Sequence, residues 1–179
     1  MEDYRYQRFI DHVILGQLGK EKRITLRVLG KSMYPLIREG DPIQIEQCTP
    51  RDLSMGDIIT FRNDDLTLTH RVLLITRKGN DIKLITKGDN EIILDPPVSA
   101  VNIVGKVVGI GRANRTLNLK TPSWCFMNRL LGFLFILEMA SILLYRFSLG
   151  RFNASNGKSP LLYRHIKCRS LLFVTRIIM

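Results

Sequence analysis

The sequence predicts a mainly β fold, with a helix before the β-rich part and an apolar, basic segment after it. Apolar residues near the amino terminus recur at three- and four-residue steps, which is the period of a helix. From residue 23 the pattern changes to short β-branched runs, which are typical of antiparallel strands. After residue 112 the chain becomes strongly basic and rich in Leu, Ile and Phe. We therefore divide it into an amphipathic helix at 1–22, a β-rich domain at 23–112 and a tail at 113–179.

The amino-terminal part is predicted to form a helix over residues 3–18. Its apolar face consists of Tyr6, Phe9, Ile10, Val13, Ile14 and Leu18. Gly19 follows the last apolar position, and glycine commonly ends a helix. We expect this helix to pack on the β domain rather than to lie in a membrane.

The β-rich part contains six runs with the composition of strands. They cover residues 24–28, 42–46, 57–62, 66–76, 82–86 and 103–111. Gly, Asp, Asn and Pro separate the runs, and these residues favour tight turns. Residues 78–80, Lys-Gly-Asn, are predicted to form the hairpin turn between the fourth and fifth strands.

The charge of the chain is concentrated in its last third. Residues 1–110 carry 16 Lys/Arg against 15 Asp/Glu, whereas residues 111–179 carry 11 Lys/Arg against one acid, Glu138. The basic residues alternate with apolar runs such as 130–137 and 171–174, which are unfavourable in water. We therefore expect this part to contact membrane lipid, and we expect no nucleic acid partner.

Glu138 interrupts the apolar stretch at 124–147 and is costly in lipid. Only about 16 residues, 130–145, lie between flanking polar positions, fewer than the roughly 20 that a spanning helix needs. We expect a membrane-embedded or interfacial hairpin or helix rather than a complete span. A basic loop at 150–169 and a short apolar end at 171–179 would follow it.

The three cysteines, Cys48, Cys125 and Cys168, are odd in number and far apart. They lack the spacing of a zinc site or a redox pair, so we expect no disulfide framework. The amino terminus carries Glu2 and Asp3 and no apolar core of signal-peptide length. We therefore expect no export signal there.

Residues 30–35, Gly-Lys-Ser-Met-Tyr-Pro, contain the first candidate for catalytic chemistry. A glycine shortly before a serine lets the backbone expose the hydroxyl and direct amide N–H groups at a developing oxyanion. A serine between glycine and proline is also common in ordinary turns. Ser32 is therefore a candidate nucleophile that needs a second element to support it.

His70 provides that element, 38 residues after Ser32 and on a predicted strand. The Ser-Met-x-Pro sequence, the following Gly40-Asp41 pair and the His-Arg-Val sequence resemble the signal peptidase I and SOS-repressor autoprotease clan. A histidine at this position resembles the archaeal and endoplasmic-reticulum signal peptidases, whereas the bacterial enzymes and the repressors use lysine. The resemblance implies a serine endopeptidase with Ser32 as nucleophile and His70 as general base.

A histidine base is chemically suitable at neutral pH. Its unperturbed pKa near 6.5 lets it accept a serine proton without the deep desolvation that a lysine of pKa about 10.4 requires. Arg71 is one residue further along the strand and should point to the opposite face, so it receives no catalytic role. Lys31 is too close to Ser32 in sequence to fold back, and Lys87 lies past the expected position of the base.

Two aspartates compete for the carboxylate that would hold the imidazole. Asp89 lies in a Gly-Asp-Asn box, and Asp95 follows six residues later. In the enzymes that the chain resembles, the second of two such aspartates takes the triad role. The resemblance therefore favours Asp95 as the third catalytic residue, with Asp89 as a possible supporting residue. The Gly-Asp pairs at Asp41 and Asp57 are expected in turns.

The resemblance covers residues 26–111 and implies cleavage of a signal or leader peptide from a precursor protein. Such enzymes hold the extended peptide in a hydrophobic groove, partly by strand addition. The resemblance implies no metal or organic cofactor, and it places the Ser32 backbone N–H in the oxyanion hole. Typical signal peptidases have an apolar span before the serine, whereas the apolar segment here follows it. The basic tail favours the cytoplasmic face of a prokaryotic plasma membrane.

Two other functions remain open from the sequence. A repressor-type autoprotease would need a self-cleavage site in a linker and a DNA-binding amino terminus, and one short helix is too little for a helix-turn-helix. A non-catalytic basic β domain that binds membranes or nucleic acid would show salt-sensitive binding without peptide hydrolysis.

Overall fold

A computed structural model of the chain describes residues 22–63, 66–79, 81–112 and 115–150, the last six by their backbone alone. The helix predicted at 3–18 lies outside these residues. So do the apolar end predicted at 171–179 and all but the first residue of the basic loop predicted before it.

The described residues form eight strands, one long α-helix and two short 3₁₀ helices, Pro50–Asp52 and Ala100–Asn102. The strands are β1 (Arg23–Arg27), β2 (Pro42–Glu46), β3 (Ile58–Asn63), β4 (Leu66–Lys78), β5 (Asp81–Lys87), β6 (Val98–Ser99), β7 (Ile103–Arg112) and β8 (Arg115–Asn118). They join one sheet in the order β1-β2-β7-β3-β4-β5-β6, with β8 paired to β7, and every pairing is antiparallel. The prediction of a mainly antiparallel β fold is confirmed.

Strand β8 lies within residues 113–179, where the sequence predicts the apolar, basic tail. Leu117 pairs with Ile110 of β7, and the strand is largely exposed. Because only Leu117 of its four residues is partly buried, the strand lacks the apolar alternation by which strands are found in a sequence. The two-residue strand β6 was also not predicted, since a pairing that short leaves no periodicity.

The apolar stretch after β8 is a single helix, α1 (Pro122–Gly150), of 29 residues. Of the two forms expected for this stretch, a hairpin or a helix, the structure has the helix, and it begins before residue 130, where the apolar count starts. Its part Pro122–Leu144 is long and apolar enough to cross a membrane by length and composition. One compact unit of the chain ends at Phe133 and a second begins at Leu134. The first turns of α1 therefore belong to the same unit as the sheet.

Two apolar cores position the residues discussed below. The first core, around β1, β2 and β7, includes Ile24, Met33, Ile37, Ile43, Ile45 and Ile110. The second, around β3, β4 and β5, includes Leu53, Ile59, Phe61, Val72 and Leu84. The loop that contains Ser32 is anchored in the first core, and the strand that carries His70 packs in the second. Their relative position therefore depends on the sheet that joins the two cores.

Candidate active site

Ser32 lies in the loop between β1 and β2. The Tyr34 N–H donates to the Lys31 carbonyl at 3.1 Å, which closes a tight turn around the serine. Met33 and Ile37 are fully buried in the first core, and the Ile37 N–H donates to the Met33 carbonyl at 3.0 Å. Ser32 itself remains partly exposed. The turn thus holds the Ser32 hydroxyl near the surface, and the buried side chain of Met33 anchors the turn in the core.

A second loop, between β5 and β6, holds the Ser32 backbone from the other side. The Asn90 N–H donates to the Ser32 carbonyl at 2.6 Å, and Asn90 Nδ2 donates to the Lys31 carbonyl at 3.2 Å. A Cβ atom at Gly88 would lie 2.8 Å from the Ser32 carbonyl oxygen and 3.1 Å from Ser32 Cβ. Residue 88 must therefore be small for this loop to approach the serine.

His70 lies on β4 and is buried, with contacts on both ring nitrogens. Its Nε2 lies 3.1 Å from Ser32 Oγ, and its Nδ1 lies 2.7 Å from Asp95 Oδ2. An ionised carboxylate only accepts hydrogen bonds, so Nδ1 carries the proton in this arrangement. Nε2 is then free to accept the proton of the Ser32 hydroxyl. The structure thus brings Ser32, His70 and Asp95 into one line of hydrogen bonds.

Thr86 and Phe61 hold this line, and neither was singled out from the sequence. Thr86 Oγ1 donates to Asp95 Oδ2 at 2.7 Å, and the Asp95 N–H donates to the Thr86 carbonyl at 2.9 Å. The Phe61 ring lies edge-on to the His70 ring, with centroids 6.1 Å apart. The one available signal was that Thr86 ends a predicted strand next to the Lys-Gly-Asp sequence.

Asp89 and Asp95 contact different residues. The two carboxylate oxygens of Asp89 accept from Arg71 Nε at 2.8 Å and from Arg71 Nη2 at 2.7 Å. Both side chains are buried, with 3% and 0% exposure, respectively. Of the two candidate aspartates, Asp95 contacts His70, and Asp89 forms a buried ion pair with Arg71, the next residue of β4.

The remaining candidates occupy turns or other contacts. Asp41 Oδ2 accepts from the Arg38 N–H at 2.9 Å, and Asp57 Oδ2 accepts from the Ser54 N–H at 2.9 Å, which is the turn role predicted for both aspartates. The exposed Lys31 ammonium lies 3.5 Å from the Glu39 carboxylate. Lys87 is buried at the end of β5, opposite Arg71 in the strand register.

Sequence comparison relates the chain to a known family. Residues 2–108 match the family described as Peptidase S24-like, and this span is more than half of the chain. The chain belongs to the Peptidase S24-like family. The matched range contains Ser32, His70, Asp89 and Asp95.

Three curated proteins illustrate what this S24-like chain is similar to. Signal peptidase I W of Bacillus subtilis (strain 168) is 39% identical over 85 residues, which are 46% of this chain and 45% of that protein. Signal peptidase complex catalytic subunit SEC11C of Homo sapiens is 35% identical over 80 residues, 43% of this chain and 41% of that protein. Signal peptidase complex catalytic subunit sec11 of Neurospora crassa is 32% identical over 76 residues, 41% and 44% of the two chains. The chain thus spans less than half the length of these relatives.

Proposed function

We propose that this S24-like protein is a serine endopeptidase that removes a signal or leader peptide from a precursor protein at a membrane. Ser32 is the nucleophile, His70 the general base and Asp95 the carboxylate that orients it. The observation that carries the proposal is the pair of contacts from His70, at 3.1 Å to Ser32 Oγ and at 2.7 Å to Asp95 Oδ2. A nucleophile, a base and an orienting group in hydrogen-bond reach are what serine activation requires. The names of the relatives suggest the substrate class.

The reaction follows from the direction of these hydrogen bonds. His70 Nε2 accepts the Ser32 proton as Oγ attacks the scissile carbonyl carbon, and Asp95 stabilises the imidazolium that forms. The imidazolium then gives its proton to the leaving amine, which departs and leaves an acyl group on Ser32. A water molecule, deprotonated by His70, hydrolyses this ester and restores the serine. We assign the Ser32 backbone N–H to the oxyanion, as the resemblance implies.

The surroundings of the site suit an apolar, extended peptide close to a membrane. Leu29 and Tyr34 flank Ser32 in sequence and expose 81% and 44% of their surfaces. Residues 92–94, Ile-Ile-Leu, come directly before Asp95 and are also exposed. Exposed apolar side chains grouped near a site commonly mark a binding surface for an apolar partner. Signal peptides carry such an apolar segment.

Helix α1 and the basic tail support attachment to the membrane. The part Pro122–Leu144 could span a bilayer, and basic residues concentrate after residue 111. Basic segments favour the cytoplasmic side and anionic lipid. The protein in isolated membranes should therefore resist extraction by high salt and be released by detergent. Release by salt alone would contradict an embedded helix.

The proposed activity is tested with the full-length protein in detergent and a panel of precursor peptides at neutral pH. Ser32→Ala and His70→Gln should each lower kcat/KM by at least about 1,000-fold, since each removes a member of the reacting line. Ser123→Ala, at an exposed serine at the start of α1, is the matched control and should cut normally. Circular dichroism and thermal unfolding check that every variant is folded.

Other outcomes would favour the alternatives. Full activity of His70→Gln would refute the assignment of the base. Hydrolysis of the chain itself at an internal site, without cleavage of added peptides, would favour an autoprotease. Salt-sensitive binding to lipid or nucleic acid, without any hydrolysis, would favour a non-catalytic binding domain.

A further inference from the structure

The guanidinium of Arg71 is fully buried beside the candidate active site and has partners from three segments of the chain. Its Nε and Nη2 donate to the two carboxylate oxygens of Asp89. Its Nη1 donates to the Gly56 carbonyl at 3.0 Å and to Asn128 Oδ1 at 2.9 Å. Asn128 is itself buried and lies in the second turn of α1. Helix α1 therefore supplies a side-chain acceptor to the arginine that follows His70.

Close backbone packing determines where Asn128 lies. Gly56 has a φ of +91°, and a Cβ atom there would lie 2.3 Å from the Asn128 carbonyl oxygen. A Cβ atom at Gly132, one helical turn further, would lie 3.2 Å from Gly56 Cα. The Gly56 N–H donates to the Val72 carbonyl on β4 at 2.8 Å. The first turns of α1 thus rest directly on the turn that precedes β3.

The Arg71–Asp89 pair connects this helix contact to both reacting side chains. Arg71 follows His70 on β4, so its position affects the position of the base. Asp89 lies between Gly88 and Asn90, the two residues that contact the Ser32 backbone. A shift of the ion pair would therefore change the distance between Ser32 Oγ and His70 Nε2, which is 3.1 Å.

We propose that Asn128 is a positioning residue of the active site. By accepting a hydrogen bond from Arg71, helix α1 holds two elements in place: β4, which carries His70, and the loop between β5 and β6, which contacts the Ser32 backbone. This keeps Ser32 Oγ and His70 Nε2 at the distance that proton transfer requires. The inference rests on the proposed function, because this distance has a chemical consequence only if Ser32 attacks a substrate. It gives the first turns of α1 a role in catalysis that is separate from membrane attachment.

The test uses the full-length protein in detergent with two substitutions at one position. Asn128→Leu has a similar size and no acceptor, so it should lower kcat about 10- to 100-fold with little change in KM, as small misplacements of reacting groups do. Asn128→Asp keeps an oxygen near Arg71 Nη1 and should retain most of the activity. Asn102→Leu is the matched control, since Asn102 is exposed in the short 3₁₀ helix Ala100–Asn102.

A second readout reports on His70 without any substrate. The Nδ1 proton that His70 donates to Asp95 should give a low-field NMR signal, identified by its loss in His70→Gln. Asn128→Leu should shift or broaden this signal, whereas Asn128→Asp and Asn102→Leu should leave it in place. If Asn128→Leu does not fold, Asn128→Ala is measured instead, with the same expectation.

The outcomes separate this inference from the proposed function. Normal kcat and an unchanged His70 signal in Asn128→Leu would overturn the inference. The inference would also fail if this variant lost thermal stability while kcat and the His70 signal stayed at their wild-type values. If the wild-type protein cuts no peptide, the proposed function fails, and the His70 signal alone then decides whether Asn128 acts on the histidine. A signal that changes in Asn128→Leu and not in Asn128→Asp would still support the positioning role.

Discussion

The carboxylate of Asp95 contacts His70 through a single oxygen, Oδ2, at 2.7 Å from Nδ1. Asp89, only six residues earlier, uses both of its oxygens on Arg71 instead. The two aspartates that the sequence presents as competitors are therefore on opposite sides of β4, because successive side chains of a strand point to opposite faces. This difference in contact leads to different expected effects of substitution.

Asp95→Asn should reduce activity and leave stability nearly unchanged. An amide in place of the carboxylate no longer selects the tautomer with a proton on Nδ1, so kcat should fall about 100- to 10,000-fold. Asp89→Asn leaves the buried charge of Arg71 without its counter-ion and should lower the free energy of unfolding by about 3–5 kcal/mol. Steady-state kinetics and denaturant unfolding of both variants check this. The assignment is wrong if Asp95→Asn has the larger stability defect and Asp89→Asn the larger kcat defect.

Thr86→Val should lower kcat at neutral pH about tenfold. The lost hydroxyl donates to the carboxylate oxygen that also contacts His70. Without this hydrogen bond the Asp95 carboxylate is held less firmly, so it orients the imidazole of His70 less well. Thr86→Ser, which keeps the hydroxyl, should restore the wild-type kcat in steady-state kinetics, and equal kcat values for the Val and Ser variants would refute this role.

Gly56→Ala should destabilise the protein much more than Gly40→Ala. Both glycines have positive φ, +91° and +85°, which costs an alanine about 1 kcal/mol. Nothing lies within 4 Å of a Cβ atom at Gly40, whereas one at Gly56 would lie 2.3 Å from the Asn128 carbonyl oxygen. We expect the free energy of unfolding to fall by about 1 kcal/mol for Gly40→Ala and by at least about 3 kcal/mol for Gly56→Ala. Equal losses in denaturant unfolding would mean that α1 does not pack on this turn.

Cys48 should react slowly with thiol reagents at about pH 8 in the folded protein. Burial raises the pKa of the Cys48 thiol from 9.0 to about 11, and the thiolate is the reactive species. Two pKa units make the thiolate about 100-fold scarcer well below both values, and labelling should increase as the pH rises towards 11. Iodoacetamide labelling, read by peptide mass spectrometry in folded and urea-unfolded protein, measures the difference. Equal rates in the two states would contradict the burial.

The sequence was most informative about short-range features. The six predicted runs correspond to β1 to β5 and β7, because apolar alternation and the turn residues between runs are local properties. The hairpin turn predicted around Gly79, which has a φ of +59°, joins β4 to β5. The Ser-Met-x-Pro and His-Arg-Val sequences likewise identified Ser32 and His70 as candidates before any contact between them was known.

The local sequence pattern did not predict where the apolar helix begins. Counting residues between the flanking polar positions gives about 16, residues 130–145, and Arg129 directly precedes them. In the structure α1 begins at Pro122 and includes both Arg129 and Asn128. Asn128 is buried there because it has a buried partner in Arg71, and a helix can include a polar residue wherever a partner satisfies it.

The amino-acid sequence by itself determined the strands, the turns and the residue types able to perform serine chemistry. The tertiary structure decided which of these residues meet. Asp95 and Asp89 are both acidic, both follow β5 and are indistinguishable by charge, yet only the fold brings Asp95 to His70 and Asp89 to Arg71. The same holds for Thr86 and Asn128, which hydrogen-bond to partners 9 and 57 residues away. Such contacts depend on strand register and helix packing, which are set by the burial of the whole core rather than by any local run of residues.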